Sequence, residues 1–499
     1  MNNKVDKRVI VVGAGIGGLS AGIHLQLQGY QVTIFEANSH PGGRANCIKE
    51  QGFAFDTGPT LLNYPWVFEQ LFSKAGKNLY DYLELIKIDP TVSFLWQDGT
   101  TLSLSSDIHK LATYFETLEP ESTPNLLKFF KDNYKRFKLS FDRLVTKNAD
   151  NYIEWIYGIN PLNLLSLGIT SSFYKNLQRY FKSRYICEAL GSYSMYLGGS
   201  PFDLPGIFTI LPYGEMAYGL TLPRGGIYAL VSAIEKLAHE TGVEIQYNSP
   251  VAKILIKNEK AYGIELKNGD TIESKAIVSN VDVVTTYNSL LSHTTSKKKL
   301  MRISKTKMTP SVLTFYWGIK GKVNHLPHHT IFLPDNYKQA FRELISEGKI
   351  PTGLPFYCSI PSASDPSLAP ENHSAMFILI PLPLLSQLGN INWNSTISEL
   401  KQEVLARLKF HGIDLDEHRI VYKRVFTPVD WCKKFGLYDG SAFGAAHTLL
   451  QMGPLRLKNY DPEIQGLFFV GASTTPGTGV PMVVISGALT AERVINYVH

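Results

Sequence analysis

The stretch Gly13-Ala14-Gly15-Ile16-Gly17-Gly18 has the Gly-x-Gly-x-x-Gly spacing that lets a backbone come against a pyrophosphate. Gly13 permits a tight turn, Gly15 keeps a Cβ out of the phosphates' path, Gly17 lies in the same cradle, and Gly18 lets a helix pack closely on a strand. A free helix N-terminus then offers N–H groups and a positive dipole end to the anion. Glu36, followed by Ala37, stands where a carboxylate can accept hydrogen bonds from a ribose diol. The same acid disfavours a 2′-phosphate, so NADP is not expected.

The elements these residues need are legible around them. Arg8 to Val12 reads as a buried strand, a helical segment runs to about Gln28 and closes at Gly29, and Gln31 to Phe35 reads as a second strand. A lone glycine fingerprint is weak, but strand, turn, helix, strand and acid together specify a dinucleotide site.

Two further groups carry chemistry. Asn38 to Arg44 ends in Gly42-Gly43-Arg44, where paired glycines allow close backbone approach and Arg44 offers a cationic fork; the bland alternative is an ordinary turn with a surface arginine. Phe53 to Thr60 predicts a short strand and a tight turn through Gly58-Pro59-Thr60. Near the far end, Gly466 to Ser473 reads as a buried strand passing Gly471 and Ala472. A Gly/Pro-rich loop leads through Val480-Pro481-Met482 to a predicted helix over Val483 to Tyr497; the bland alternative is a surface loop. Between these ends the chain predicts a helix from Ile227 to Glu240, strands over 242–247, 251–256 and 276–280, and a hairpin turning at Asn268-Gly269.

The Glu-x6-Gly-Gly-Arg extension and the Phe-Asp-x-Gly-Pro-Thr turn resemble the flavoprotein group that holds amine oxidases, protoporphyrinogen oxidases and carotenoid desaturases. The string Val470-Gly471-Ala472-Ser473-x-x-Pro476-Gly477-x-Gly479-Val480-Pro481-Met482 is similar to the C-terminal signature of bacterial carotenoid desaturases. So are Phe426-Thr427-Pro428-x-Asp430, Gly440 to Gly444, Ser367 to Glu371 and His328 to Ile331.

The resemblance implies FAD extended along Gly13, Gly15, Gly17, Gly18, Glu36 and Ala37, with Gly43, Arg44, Gly58, Pro59 and Thr60 approaching it. It places the Val251 backbone beside the adenine, and a loop of Gly471, Ala472, Val480, Pro481 and Met482 over the flavin. The fold class it implies is α/β, with a Rossmann-like FAD-binding domain assembled from 1–75, 220–295 and 462–499. A mixed β-sheet substrate domain follows from 76–104 and 296–461, and a helical lid or membrane-associating subdomain from 105–219. The implied reaction is desaturation of a long acyclic carotenoid precursor of the phytoene or 4,4′-diapophytoene type, by hydride transfer to flavin and proton loss. Oxygen or a quinone reoxidises the flavin. A terminal-methyl oxidase, a carotene isomerase and a non-enzymatic prenyl-binding chaperone are alternatives on the same fold. No catalytic acid or base is assigned; Asp56, Glu215 and Arg224 are candidates by proximity to motifs alone.

Composition sets limits around this reading. The 499 residues are 44% hydrophobic, 18% charged and 12% aromatic, which excludes general disorder and leaves an apolar excess that an apolar partner would explain. The formal net charge of +6 is scattered, densest at Lys297-Lys298-Lys299 with Arg302, Lys305 and Lys307. A solvated face and contact with anionic lipid headgroups are both open there. Nucleic-acid binding is not expected, because no basic helix or zinc-finger spacing accompanies the charge. Cys47, Cys187, Cys358 and Cys432 are far apart, which fits a reducing cytosol. His325, His328 and His329 have no acidic ligand cluster, so no metal is expected.

The first residues, Met1 to Arg8, lead directly into a strand without a signal-peptide core. The uncharged stretches from Gly466 to Thr490 and, apart from Lys-free polar breaks, from Trp155 to Tyr174 are too interrupted for a spanning helix. The expected location is cytoplasmic, peripherally associated with the inner face of the cell membrane. Tyr193 to Leu222, poor in charge and rich in aromatics, is a candidate tunnel wall or membrane-facing patch.

Overall fold

A computed structural model describes residues 7–157, 159 and 167–498 of the protein. The reading of the first residues and part of the reading of 155–174 fall on 1–6, 158 and 160–166, outside the described residues.

Five short parallel strands form the sheet that carries the glycine turn. Their order is Leu467–Phe469, Ala276–Ser279, Arg8–Val12, Gln31–Phe35 and Glu244–Gln246. The strands come from both ends and the middle of the chain, and the two central ones read as continuous apolar runs because both faces are covered. One cover is the helix Ile16–Leu27, against which the C-terminal helix Val480–Val498 lies. That approach depends on small residues: a Cβ on Gly487 would collide with the Ser20 side chain, whose hydroxyl donates to the Val484 carbonyl at 2.9 Å. The other close helix, Ile227–Thr241, ends one residue beyond the sequence expectation, at a left-handed Gly242 cap.

The second sheet has seven strands. Their order is Ile420–Phe426, Ser311–Lys320, His373–Leu382, Phe356–Ser359, His329–Leu333, Ser93–Trp96 and Thr101–Ser103. Pairing is antiparallel except between His329–Leu333 and Ser93–Trp96, so the sheet is mixed. Ser311–Lys320 is buried on both faces, with period-two alternation. Leu313, Phe315 and Trp317 pack with Val404 and Leu408 of the helix Trp393–Phe410, while Val312 and Tyr316 pack with Phe53 and Phe55.

Three elements differ from the sequence reading. The strand expected over Gly466 to Ser473 is regular only at Leu467–Phe469, because the chain leaves the sheet at Val470 to form the loop below. The last helix starts at Val480 rather than Val483: Pro481 falls in its first turn, where a missing N–H costs nothing. The basic run is not one surface. Lys299 is buried and pairs with Asp461 at 2.9 Å, and Arg302 pairs with Glu463. Lys305 and Lys307 stay exposed.

Helices Ile108–Leu118, Thr123–Ser140, Arg184–Gly191 and Ile210–Tyr218 lie in sequence between Thr101–Ser103 of the second sheet and Glu244–Gln246 of the first. Within Tyr193 to Leu222 most large apolar side chains are buried, including Leu204, Ile207, Tyr213 and Met216; Phe202 and Phe208 are half-buried. Among the described residues no helix is long and apolar enough to cross a membrane.

Candidate active site

A single cavity of about 750 Å³ runs from the glycine turn to the second sheet. It is lined by Gly13, Gly15 and Gly17, by Glu36 and Ala37, and by Gly43, Arg44, Gly58, Pro59 and Thr60. Val251, Gly471, Ala472, Val480, Pro481 and Met482 complete the set brought together from the sequence reading. Gly18 is the exception: it does not line the cavity. A Cβ there would collide with the Gly13 carbonyl oxygen, so its absence closes the turn onto the helix.

The turn at the cavity's polar end leaves no room for larger residues. Gly13 has φ +98°, which favours glycine, and a Cβ on Gly15 would lie 2.5 Å from Asn280 Oδ1. The Gly42 N–H donates to the Ala14 carbonyl at 2.9 Å, which sets Gly43 against Gly15. Glu36, 6% exposed, holds the rim: its carboxylate accepts from the N–H groups of Ala14 at 2.7 Å and Asn38 at 2.9 Å. The Ser249 N–H donates to the Glu36 carbonyl at 2.8 Å, which brings the start of the strand Val251–Lys257 to the same rim.

Arg44 lies at the crossing of three segments. Its guanidinium donates to the Ala442 carbonyl at 3.0 Å; burial lowers its pKa and the Asp282 carboxylate opposes that shift. Asp282 accepts from the Val284 N–H and from the Ser473 hydroxyl, tying the end of Ala276–Ser279 to the C-terminal loop. Arg456, 3% exposed, holds that loop from behind. It donates to the carbonyls of Thr474 at 2.8 Å, Ala472 at 2.5 Å and Ala445 at 3.0 Å, and at longer range to Ala446 and Gln451. Burial pushes its pKa down to about 9.

The opposite end of the cavity is apolar and aromatic. Leu211, Ile331, Leu333, Phe341, Phe356 and Leu379 line it, with Tyr193, Tyr196, Tyr337 and Tyr357. Polar groups there are few. Tyr357 Oη is 2.8 Å from Thr60 Oγ1 and 2.6 Å from His329 Nδ1. Burial, then the neighbouring His328, holds the His329 pKa well below the usual histidine range, so the ring is neutral. Glu215 is 3% exposed, and its Oε1 has no hydrogen-bond partner. The other two acid/base candidates have structural tasks. Asp56 caps the helix Ile227–Thr241, accepting from the N–H groups of Ile227 at 2.7 Å and Tyr228 at 2.9 Å. Arg224 pairs with Glu84 at 2.6 Å on the surface.

Residues 16–495 match the family described as flavin containing amine oxidoreductase. The chain is 34% identical over 496 residues to the zeta-carotene-forming phytoene desaturase of Myxococcus xanthus, covering 99% of this chain and 95% of that protein. It is 31% identical to the 4,4′-diapolycopene oxygenase of a Methylomonas species, covering 99% of each. The chain belongs to the flavin-containing amine oxidoreductase family, in its carotenoid desaturase branch. It is an FAD-dependent oxidoreductase of the α/β class. The fold also resembles an oxidoreductase from Methanosarcina mazei, with a TM-score of 0.61 at 17% identity over 98% of this chain and all of that one.

The residues of this oxidoreductase's cavity fit FAD. Glycines line the polar end where a Cβ would fill the cradle, a buried acid stands at the rim, and a half-buried arginine faces the middle. Several lining or supporting residues are not marked by the motifs. Asn280 and Asp282 had a signal: they follow a strand that ends in polar residues and, being parallel, opens onto the same crevice as Arg8–Val12. Ala442 lies in the Gly440 to Gly444 string; Tyr357 and Arg456 had no signal, since only the tertiary fold brings them to the cavity and its loop.

Proposed function

We propose that the protein desaturates a long acyclic carotenoid precursor of the phytoene or 4,4′-diapophytoene type. One observation carries this reading: a single cavity joins a nucleotide cradle to an apolar, aromatic chamber with few polar groups. Bound FAD supplies an acceptor for a hydride from an allylic carbon. The chain's own residues do the rest. Gly13, Gly15, Gly17, Glu36, Ala37, Gly43, Arg44, Gly58, Pro59, Thr60 and Val251 hold the cofactor; Gly471, Ala472, Val480, Pro481 and Met482 close over it. The aromatic walls align the polyene and exclude water, which matters because the developing charge is delocalised over carbon and needs no specific counter-ion. Oxygen or a quinone takes the electrons away.

In this reading 1–75, 220–295 and 462–499 serve the cofactor, 76–104 and 296–461 the substrate, and 105–219 cover the entrance. The likeness to a diapolycopene oxygenase keeps oxidation of a terminal methyl as the second reading. Expression in bacteria that make phytoene or diapophytoene separates the two. We expect coloured products that have lost hydrogen. An alcohol or aldehyde made only from an already coloured polyene indicates the oxidase, and rearrangement without hydrogen loss an isomerase. A protein purified without flavin activity on any polyene indicates a prenyl-binding chaperone.

The proposed partner surface is an anionic membrane at the inner face of the cell membrane. Ile153 and Tyr157 are 77% and 78% exposed, and Leu450 is 78% exposed. Trp155 and Met452 pack in one apolar cluster, so these side chains emerge from adjoining segments, with Leu449 and Leu455 beside them. Lys307 sits at the edge: its backbone N–H donates to Gln451 Oε1 at 2.7 Å, and its side chain is exposed. A cluster of exposed apolar side chains with a lysine at its edge suits a bilayer surface, although Glu154 is exposed on the same helix as Ile153. The double substitution Ile153→Asp and Leu450→Asp should lower binding to anionic vesicles at least about tenfold, since each side chain buries an apolar surface in lipid. Unchanged co-sedimentation would contradict this placement.

A further inference from the structure

We propose that Glu215 is the proton acceptor of the desaturation, a role that rests on the function proposed above. Removing hydrogen from two neighbouring carbons requires two different transfers. One C–H bond breaks with its electron pair, which goes as hydride to the flavin. The neighbouring C–H bond breaks without it: the proton leaves, and the electron pair becomes the new C=C bond. The substrate is oxidised by two electrons, the flavin is reduced by two, and the proton needs a base inside a chamber from which water is excluded.

Among the described residues the cavity lining holds three carboxylates: Glu36, Glu215 and Asp282. Glu36 is engaged by the Ala14 and Asn38 N–H groups at the nucleotide rim. Asp282 is engaged by the Val284 N–H and the Ser473 hydroxyl. Glu215 is left. It stands on the helix Ile210–Tyr218 among the aromatic walls; its buried Oε1 makes no hydrogen bond of good geometry, and the Tyr193 and Thr91 hydroxyls, likewise buried without other partners, are the polar groups that approach the carboxyl. An orphaned carboxylate oxygen in an apolar chamber is costly to keep, which makes its presence there informative.

Its neighbours leave it free to exchange a proton near neutrality. The groups that face it are Thr91 and the phenols of Tyr64, Tyr193, Tyr196 and Tyr357. Burial raises every one of those phenol pKa values, so they are neutral. Burial likewise pushes the Glu215 pKa up to about 7, with the Tyr193 and Thr91 hydroxyls opposing the rise. Tyr357 links this group to the other wall through Thr60, beside the Gly58-Pro59 turn. The alternative acceptor, His329, reaches the cavity only through Tyr357 and is buried behind it.

The test uses the flavin-loaded enzyme in vesicles and the variants Glu215→Gln and Glu215→Asp. Glu215→Gln should keep its flavin and bind the polyene, yet turn over at least about a hundredfold more slowly. Wild-type turnover should rise with pH through about 7, as the carboxyl loses its proton. The residual rate of Glu215→Gln should lose that limb, and Glu215→Asp should recover part of the rate and keep the limb. Independently of turnover, the wild-type minus Glu215→Gln infrared difference should hold one protonated-carboxyl band that titrates near pH 7; the bands of Glu188 and Asp56, whose pKa values burial also raises to about 7 and about 6, cancel in that difference.

The same shift makes one pH-dependent contribution to stability. A raised folded-state pKa stabilises below the unfolded carboxyl's range, and that contribution is lost as pH rises through about 7. Glu215→Gln should therefore melt no lower than the wild type at pH 8. Turnover of Glu215→Gln within about threefold of the wild type, or an unchanged pH limb, overturns the proposal, as does an infrared difference that lacks the titrating carboxyl band. A wild type inactive on every polyene would instead refute the functional reading itself.

Discussion

Gly15→Val protein purifies without flavin. A Cβ at this position lies 2.5 Å from Asn280 Oδ1, and Asn280 cannot retreat freely because its Nδ2 donates to the Val470 carbonyl at 3.1 Å. The two methyls of valine would then project into the cradle where a pyrophosphate must meet the backbone. We expect affinity for FAD to fall at least about a hundredfold, roughly 2.7 kcal/mol. Arg44→Ala should lose flavin as well, through loss of a half-buried cation that lines the cavity, although its turn keeps the same backbone. Flavin absorbance per mole of protein, read beside a circular dichroism spectrum that shows retained secondary structure, checks both. Yellow protein with full flavin content in both variants would refute the placement of the cofactor.

Arg456→Met should destabilise the protein by about 3–5 kcal/mol. No motif marks Arg456, yet its guanidinium serves the carbonyls of Ala445, Ala446, Gln451, Ala472 and Thr474. Methionine matches the stem's volume but satisfies none of those acceptors, in a place from which water is excluded. Two of them belong to the loop from Gly471 that lines the cavity, so the variant should also release flavin faster. Arg456→Lys should recover only part of the loss, since one ammonium has three donors and a single point of origin. Urea titration followed by tryptophan fluorescence measures the first effect, and flavin release on dilution the second. A Met variant with the wild-type midpoint would contradict the assigned role.

These two residues also mark where sequence stops being enough. Gly15 was legible because its neighbours are local: strand, turn, helix and acid follow one another within the first 36 residues. The C-terminal loop was legible as a motif, but the extent of its elements was not. The strand shortens to Leu467–Phe469 because Val470 turns away toward Asn280, a contact 190 residues distant in the chain. Lys299 read as part of a basic surface because three lysines adjoin; Asp461, which draws it inside, is 162 residues away. Tyr193 to Leu222 read as a wall or a membrane patch on composition alone. Its large side chains are mostly buried, and the strongly exposed apolar groups gather at 152–157 and 449–455 instead. The helix at 152–157 and the short turns at 449–455 have too little periodicity to announce an exposed face. Glu215 was one of three equal candidates until its partners, and those of Asp56 and Arg224, were known.

The central claim is that FAD bound in the glycine cradle accepts hydrogen from a polyene lying in the aromatic end of the same cavity. Anaerobic mixing of the flavin-loaded protein with phytoene or 4,4′-diapophytoene in anionic vesicles tests it most directly. The account predicts that the flavin absorbance bleaches in a single phase and that the extracted polyene carries one new double bond per flavin reduced. Flavin that stays oxidised in the presence of both polyenes, in protein that binds them, would contradict it.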